Sequence, residues 1–454
     1  VTSVLLIYPY FKPRWDRSVF RFPPLGLAYI AASLRSAGYP VQILDCTFLG
    51  RKEAIRRAKE AKADVAGFYC MAAMLEDCRR MAGELRPAVK LLVAGGPHPS
   101  WDPSAFLDVF DVVVRGEGER TIVELMQAFD RGASFDAVAG IAHRRDSIPP
   151  ESVWTSTPVR KPARYPDSFP FPARDLLPNA DYIRHGRRHY GYSVTTVLST
   201  RGCPFHCEFC SNAVFDGTYR ERPVENVLDE VEETLALGYQ RISFADDVFT
   251  LRRERVGEFC DAVRRRAVQF DWECLGRVDS IDAKTARMMR QAGCRRIYFG
   301  IESGSEKILR LMNKRITPFQ ARSAVEAARR AGLETGAFFI LFYPGDTDAT
   351  VLETLRFARS LPLDYAGFSI PYPLPGTALY ERVKDRVGQF WKPSAVPFFH
   401  HRLTYRSDFS EAKIRFGGLM GGLDHALKRA GGTAARWPRK MLGVFTDRIL
   451  VRMK

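Results

Sequence analysis

Cys203, Cys207 and Cys210 fall within eight residues of the stretch Thr200-Arg201-Gly202-Cys203-Pro204-Phe205-His206-Cys207-Glu208-Phe209-Cys210-Ser211-Asn212, spaced C-x3-C-x2-C. Iron–sulfur clusters are held by cysteine thiolates and ordinarily take four. Three from one short loop leave one iron with an open coordination position for a substrate or cofactor, so the spacing points to chemistry at iron. Zinc is the competing occupant. His206 lies inside the loop, but no second C-x2-C or H-x3-H pair follows to close a tetrahedron. The other six cysteines, Cys46, Cys70, Cys78, Cys260, Cys274 and Cys294, are scattered over strand-like and helix-like segments and read as buried free thiols. A reducing compartment suits both groups.

The elements that must position this loop begin with the apolar run at 194–198, directly before it. Further strands are expected at 241–245, 270–275, 296–300, 335–341 and 365–370, with helices at 223–237, 253–266, 283–292 and 318–331. Six βα units fall short of the eight of a closed barrel; a curved partial barrel, working at the C-terminal ends of its strands, is the expected packing. Those ends carry polar groups beside small residues: Asp246-Asp247, Arg277, Glu302-Ser303, Tyr343-Pro344-Gly345-Asp346-Thr347 and Pro371-Tyr372-Pro373. Taken singly, Asp246-Asp247 reads as a magnesium pair or a helix cap and Glu302 as an ion-pair partner; repetition along the strand ends favours a site.

Upstream, apolar runs at 4–8, 41–44, 65–69, 91–94 and 112–114 alternate with helix-length segments, as in a parallel, doubly wound sheet that binds ligands at its strands' carboxyl ends. The loops there contain Pro23-Pro24-Leu25-Gly26-Leu27, Gly95-Gly96-Pro97-His98-Pro99 and Gly116-Glu117-Gly118-Glu119, whose glycines let a large ligand approach the backbone. No G-x-G-x-x-G follows the first strand, which argues against a dinucleotide. The run at 4–8 meets Pro9 at once with no basic region before it, and reads as a strand instead of a leader. No apolar run approaches the roughly eighteen residues of a spanning helix, so a cytoplasmic protein is expected.

Residues 144–191 change character, with prolines at 149, 150, 158, 162, 166, 170, 172 and 178, and are expected to form an extended connector. After residue 385 the alternation stops. From His400 onward twelve Lys/Arg face four Asp/Glu, a surplus of eight that is half of the net +16; the basic excess is local, and no nucleic-acid surface is expected. Apolar positions 441, 442, 445, 449 and 453 recur at helical spacing among basic residues. Such a helix can cap the barrel with its stripe inward or lie on an anionic bilayer.

The cysteine loop and strand-end motifs resemble the radical S-adenosylmethionine (SAM) superfamily, and the three glycine loops resemble the cobalamin-binding domain that precedes the SAM domain in one of its subgroups. The resemblance implies an α/β chain: a Rossmann-like, doubly wound cobalamin-binding domain at 1–143, a linker at 144–191, a partial (βα)6 radical SAM barrel at 192–385 and a basic, mainly helical extension at 386–454. It implies Cys203, Cys207 and Cys210 as ligands of a [4Fe–4S] cluster. Phe209, Asp246, Asp247, Arg277, Glu302 and Ser303 become SAM contacts, with Phe209 over the adenine and Arg277 on the carboxylate. Pro24, Gly26, Gly95, Gly96, His98, Gly116, Glu117 and Gly118 become cobalamin contacts. The D-x-H-x-x-G signature is absent, so His98 is expected to pack or to touch the corrin side chains and not to ligate cobalt; Asp346 stands where the common form has Glu. The activity implied is SAM cleavage to a 5′-deoxyadenosyl radical and methylation of an unactivated carbon or of phosphorus, on a small-molecule or lipid-like substrate, with flavodoxin or ferredoxin as electron donor. A cyclase of the anaerobic porphyrin type is the alternative. The basic tail leaves room for peripheral membrane contact.

Overall fold

A computed structural model describes residues 1–11, 21–144, 154–164, 168–211, 217–388, 404–431 and 436–453. Asn212 of the cysteine loop, Pro149, Pro150 and Pro166 of the expected connector, and the side chain of Lys440 lie outside the described part. The chain divides into two compact units, residues 1–197 with 214–241 and residues 198–213 with 242–454.

The first unit is built on β1 (Val4–Tyr8), β2 (Val41–Asp45), β3 (Val65–Tyr69), β4 (Leu91–Gly95), β5 (Val112–Val114), β6 (Ile141–Arg144) and β7 (Trp154–Ser156), in the order β2-β1-β3-β4-β5-β6-β7. The first five pair in parallel, and β6 and β7 add on antiparallel. Both faces are buried. Along β1, Leu5 and Ile7 enter one apolar cluster and Val4 and Leu6 the other, and Leu92 and Ala94 divide from Leu91 and Val93 in the same way along β4. This two-sided burial is why these strands read as unbroken apolar runs. The strand order reverses between β2-β1 and β3, which places the ligand-binding crevice of such sheets at the ends of β1 and β3.

Two features of this unit were not legible. The strands β6 and β7 are short, and β7 falls inside the stretch expected to be an extended connector. Asn179–Tyr190, in the same stretch, is a helix closed by Gly191 in the left-handed region, φ 81°.

The second sheet holds six strands in sequence order: Val194–Val197, Arg241–Phe244, Asp271–Gly276, Cys294–Glu302, Glu334–Ile340 and Tyr365–Ser369. The registers from Asp271–Gly276 to Tyr365–Ser369 are parallel. Helices follow the strands with local start signals. Asp282 accepts the Thr285 N–H, and Thr317 with Gln320 forms a capping box before Pro318–Arg330. The strand Cys294–Glu302 slips register between Gly300 and Glu302, and Glu302 sits at φ +69°. Such a bulge re-aims a side chain, here the one the sequence had singled out.

The tail forms two helices, Glu411–Gly431 and Arg436–Arg452. Ile414 and Leu450 join Leu341, Phe342, Leu355 and Ile370 in one apolar cluster, so the tail packs on the barrel. Gly417 and Gly421 let the first of these helices approach the barrel closely. A Cβ at Gly417 would lie 2.6 Å from Phe342, and one at Gly421 2.9 Å from Phe368. The expected inward stripe of the last helix is not the buried one: Gly443, Thr446 and Leu450 face inward while Met441 and Phe445 are exposed. Among the described residues no helix is long and apolar enough to cross a membrane.

Close packing of the second sheet gives a direct test. A Cβ at Gly336 would lie 2.3 Å from the Tyr298 ring. Gly336→Ala is expected to cost about 1–3 kcal/mol by overpacking, read as a fall of several degrees in the thermal unfolding midpoint.

Candidate active site

The cysteine loop leaves the first strand of the second sheet through Ser199, which is 2% exposed. Its backbone N–H donates to Asp246 Oδ1 at 2.7 Å, and its hydroxyl donates to the other carboxylate oxygen. Asp246 is fully buried; burial raises its carboxyl pKa above the ordinary value, and the bonds from Ser199 oppose that rise. It therefore fastens the root of the loop to the end of the next strand. Asp247, beside it, is exposed. Burial raises the Cys203 thiol, and the Asp247 carboxylate adds to the rise.

The tip of the loop is held from the later strands. Glu208 donates its N–H to Met312 O at 3.0 Å and accepts the Leu379 N–H at 3.0 Å. Its carboxylate takes the Tyr343 hydroxyl at 2.8 Å and an ion pair with Arg382. Asn313 Nδ2 donates to His206 O at 2.7 Å. His206 is itself exposed and contributes its carbonyl. Phe209 packs beside Tyr343 and Leu379, with Lys314 Nζ 5.9 Å from its ring centre. Cys203 and Cys207 are buried and Cys210 half-buried, and none of the three is in a disulfide.

Of the other expected residues, four are engaged within the protein. Arg277 presents both arms of its fork to Asp279, at 3.0 and 2.9 Å, and its guanidinium lies 3.6 Å from the Phe205 ring centre. Ser303 Oγ meets Thr354 Oγ1 at 2.9 Å and accepts the Ser305 N–H. Asp346 closes its own turn, accepting the Tyr343 N–H at 2.8 Å and the Thr350 hydroxyl at 2.6 Å. Glu302 accepts from Lys314 Nζ at 3.0 Å, both side chains about nine-tenths buried. Lys314 was not legible: no motif marks it, and its partners are set by the fold.

In the first unit the glycine loops gather at the sheet's carboxyl end. Gly96, at φ +107°, lies against Cys70 and Tyr69, where a Cβ would come within 3.1 Å of the Cys70 backbone. Tyr8, Tyr10 and Tyr69 form a ring cluster at the ends of β1 and β3, Tyr8 and Tyr69 5.5 Å apart. His98 packs between Trp101 and Phe106, and its Nδ1 is buried without a hydrogen-bond partner in this unit. Glu117 is paired with Arg220 at 2.6 Å. Cys70 and Cys78, far apart by spacing, are neighbours. Cys78 and His98 bring the Cys70 thiol down to about 7 against its burial.

Among the described residues no three His, Cys, Asp or Glu side chains converge to hold a single metal ion. A four-iron cube asks for each thiolate on an iron of its own, and three cysteines outside any disulfide on one anchored loop fit that donor set. The glycine-lined end with its orphaned His98 Nδ1 suits a large cofactor with hydrogen-bonding side chains.

The description "Radical SAM superfamily" matches residues 197–358, and "B12 binding domain" matches residues 15–126. An uncharacterized methyltransferase of Pyrococcus horikoshii, PH0819, is 33% identical over 392 residues, covering 84% of this chain and 83% of its own. The anaerobic magnesium-protoporphyrin IX monomethyl ester cyclase of Rubrivivax gelatinosus is 28% identical, covering 94% and 82%. The radical SAM methyltransferase TsrM of Kitasatospora setae, solved with cobalamin and a [4Fe–4S] cluster, has a similar fold: TM-score 0.71 at 19% identity, over 86% of this chain and 76% of that one. The chain belongs to the radical SAM superfamily, in the group that carries a B12-binding domain. It is thus an enzyme of the class that works with SAM, a [4Fe–4S] cluster and cobalamin.

Burial raises Asp346 to about 6, opposed by the bonds from Thr350 and Tyr343. Between about pH 4, the unfolded value, and pH 6 the native state holds the extra proton, so this group makes stability fall as pH rises through that window. The thermal midpoint of Asp346→Asn relative to the parent is expected to improve between pH 4 and pH 6.5, as read by melts across that range.

Proposed function

We propose that this chain is a cobalamin-dependent radical SAM methyltransferase that methylates an unactivated carbon, or phosphorus, of a small-molecule or lipid-like substrate. The observation that carries the reading is the anchored loop of Cys203, Cys207 and Cys210, three cysteines outside any disulfide on a loop fixed at root and tip on the mouth of a six-stranded partial barrel. When bound, the cluster and SAM supply one-electron cleavage to a 5′-deoxyadenosyl radical, and cobalamin supplies the methyl group.

In this reading the three cysteines hold the cluster. Asp247, exposed and acting on Cys203 through its charge, contacts SAM, and Phe209 packs by the Lys314–Glu302 pair. Arg277 keeps Phe205 in place through its stacked guanidinium and works as a positioning residue. Asp246 orients the loop by its bonds to Ser199, and Ser303 by its bond to Thr354 shapes the adjoining turn. In the first unit Gly26, Gly95, Gly96, Gly116 and Gly118 line the corrin-binding end beside Pro24, His98 offers Nδ1 to a corrin side chain, and Glu117 is held by Arg220. The +16 charge favours a small acidic electron donor of the flavodoxin or ferredoxin type, and the free thiols favour the cytoplasm.

The last two helices support peripheral contact with an anionic membrane. Met441, Val444, Phe445 and Val451 are exposed at 50, 42, 51 and 54%, on the same helical face as Arg448 and Arg452. Leu419 and Leu423 are exposed one turn apart on the helix before.

Anaerobic reconstitution with iron, sulfide and hydroxocobalamin tests the main reading. The expected result is bound corrinoid and about four irons per chain, with S-adenosylhomocysteine formed alongside 5′-deoxyadenosine. The Cys203→Ala, Cys207→Ala, Cys210→Ala triple variant should lose both the iron and SAM cleavage. Products without S-adenosylhomocysteine would turn the reading to the cyclase, the reaction of one relative. The membrane contact has its own check. Replacing Met441, Val444 and Phe445 by Ser should reduce co-sedimentation with phosphatidylserine-containing vesicles by about fivefold or more, and equal recovery of both proteins would discard it.

A further inference from the structure

The segment Met312–Lys314 follows the helix Glu306–Leu311 and belongs to no regular element. Asn313, at φ 50°, closes the helix as its left-handed cap, with its N–H on Arg310 O and the Lys314 N–H on Leu309 O. Arg315, at φ 55°, stands in the left-handed region that its side chain disfavours. Strained backbone persists where surrounding contacts over-determine it and clusters where geometry matters for function.

Those contacts converge on Cys207. The residue before it, His206, has its carbonyl taken by Asn313 Nδ2 at 2.7 Å, and the residue after it, Glu208, donates its N–H to Met312 O at 3.0 Å. Both peptide groups flanking the cysteine are thus pinned by two consecutive residues of one short segment. Lys314 completes the arrangement. Its N–H bonds Leu309 O at 3.0 Å, its carbonyl accepts Arg277 Nη2 at 3.1 Å, and its ammonium pairs with Glu302 at 3.0 Å, 5.9 Å from the Phe209 ring centre. The side chain is 8% exposed. Room for the pair comes from Gly300, where a Cβ would lie 2.6 Å from Glu302 Oε1 and 3.0 Å from Lys314 Nζ. The Glu302 carboxylate at 3.0 Å favours the charged ammonium.

We propose that Met312–Lys314 is a clamp on the cluster loop, and that Lys314 is a positioning residue whose buried ammonium, held against Phe209 of that loop, raises the reduction potential of the cluster. The inference rests on the reading that Cys203, Cys207 and Cys210 hold a [4Fe–4S] cluster. A cation near a centre that gains one electron favours the reduced form, and in a buried site this attraction is weakly screened. Glu302 holds the ammonium in place while offsetting part of its charge, so the two partners must be tested together as well as singly.

The test uses the full chain, reconstituted anaerobically, with the cluster's midpoint potential read by electron paramagnetic resonance during redox titration. Lys314→Met should shift the reduction equilibrium at least tenfold toward the oxidised form, about 59 mV for one electron, with iron content kept. Lys314→Arg should stay near the parent, and the double variant Lys314→Met, Glu302→Gln should fall between them. An unchanged midpoint in Lys314→Met with full iron content overturns the electrostatic role. The clamp is tested separately by Asn313→Gly, which keeps the left-handed backbone at this half-buried position and removes only the bond to His206. Iron loss to a chelator should become about tenfold faster, roughly the worth of one hydrogen bond to a buried loop, and an unchanged rate overturns the clamp. A parent chain that binds no cluster at all overturns the underlying reading, an outcome distinct from either of these.

Discussion

A carboxylate with no exposure to water, Asp246, holds the reactive loop to its scaffold. Taking such a group out of water is costly unless hydrogen bonds replace the solvent, and Ser199 supplies two, from its N–H and its hydroxyl. The pairing works in both directions. The loop cannot leave the end of its strand without orphaning a buried carboxylate, and the carboxylate cannot be tolerated without the loop. The rest of the second unit elaborates this constraint: a root fixed at Ser199, a tip fixed at Glu208, and between them three cysteines whose positions follow from the two ends.

The tip shows how a partial barrel substitutes for missing strands. Glu208 is held by Met312, Tyr343, Leu379 and Arg382, residues contributed by segments beyond the fourth, fifth and sixth strands. Burial and the Glu208 carboxylate both push the Tyr343 hydroxyl up, so it stays a donor to that carboxylate at any ordinary pH. The tail then covers the fifth and sixth strands, with glycines in place of side chains where Phe342 and Phe368 come closest. Its outer face carries the exposed apolar residues.

Much of this was legible in the sequence, for reasons that differ by feature. The cysteine loop could be read because its three cysteines lie within one short stretch and need no knowledge of the fold. The strands could be read because two-sided burial leaves continuous apolar runs, as Val4–Tyr8 and Leu91–Gly95 do. Site residues were harder. Arg277 and Ser303 lie where a cofactor contact would be expected, yet Asp279 and Thr354 engage them, and sequence carries no sign of such pairings. Lys314 was missed because its partners come from the bulge at Glu302 and from Cys207, some 107 positions earlier. The pairing of Cys70 with Cys78 was missed for the same reason: one follows a strand, the other lies on a helix, and only packing brings them together.

The long sequence separation of the tip contacts has a consequence for how the protein is made. Glu208 and its partner Arg382 are 174 residues apart, and Glu208 and Tyr343 135 apart. Contacts this distant close late in folding, after the intervening elements have formed. On a growing chain the cysteine loop leaves the ribosome with its root partner soon to follow and its tip partners still unmade. The complete receptacle around the loop therefore exists only once the barrel is complete. A donor that loaded iron onto the nascent loop would meet thiols with no wall behind them, whereas a donor that waits meets a receptacle already shaped by residues synthesised long after the ligands.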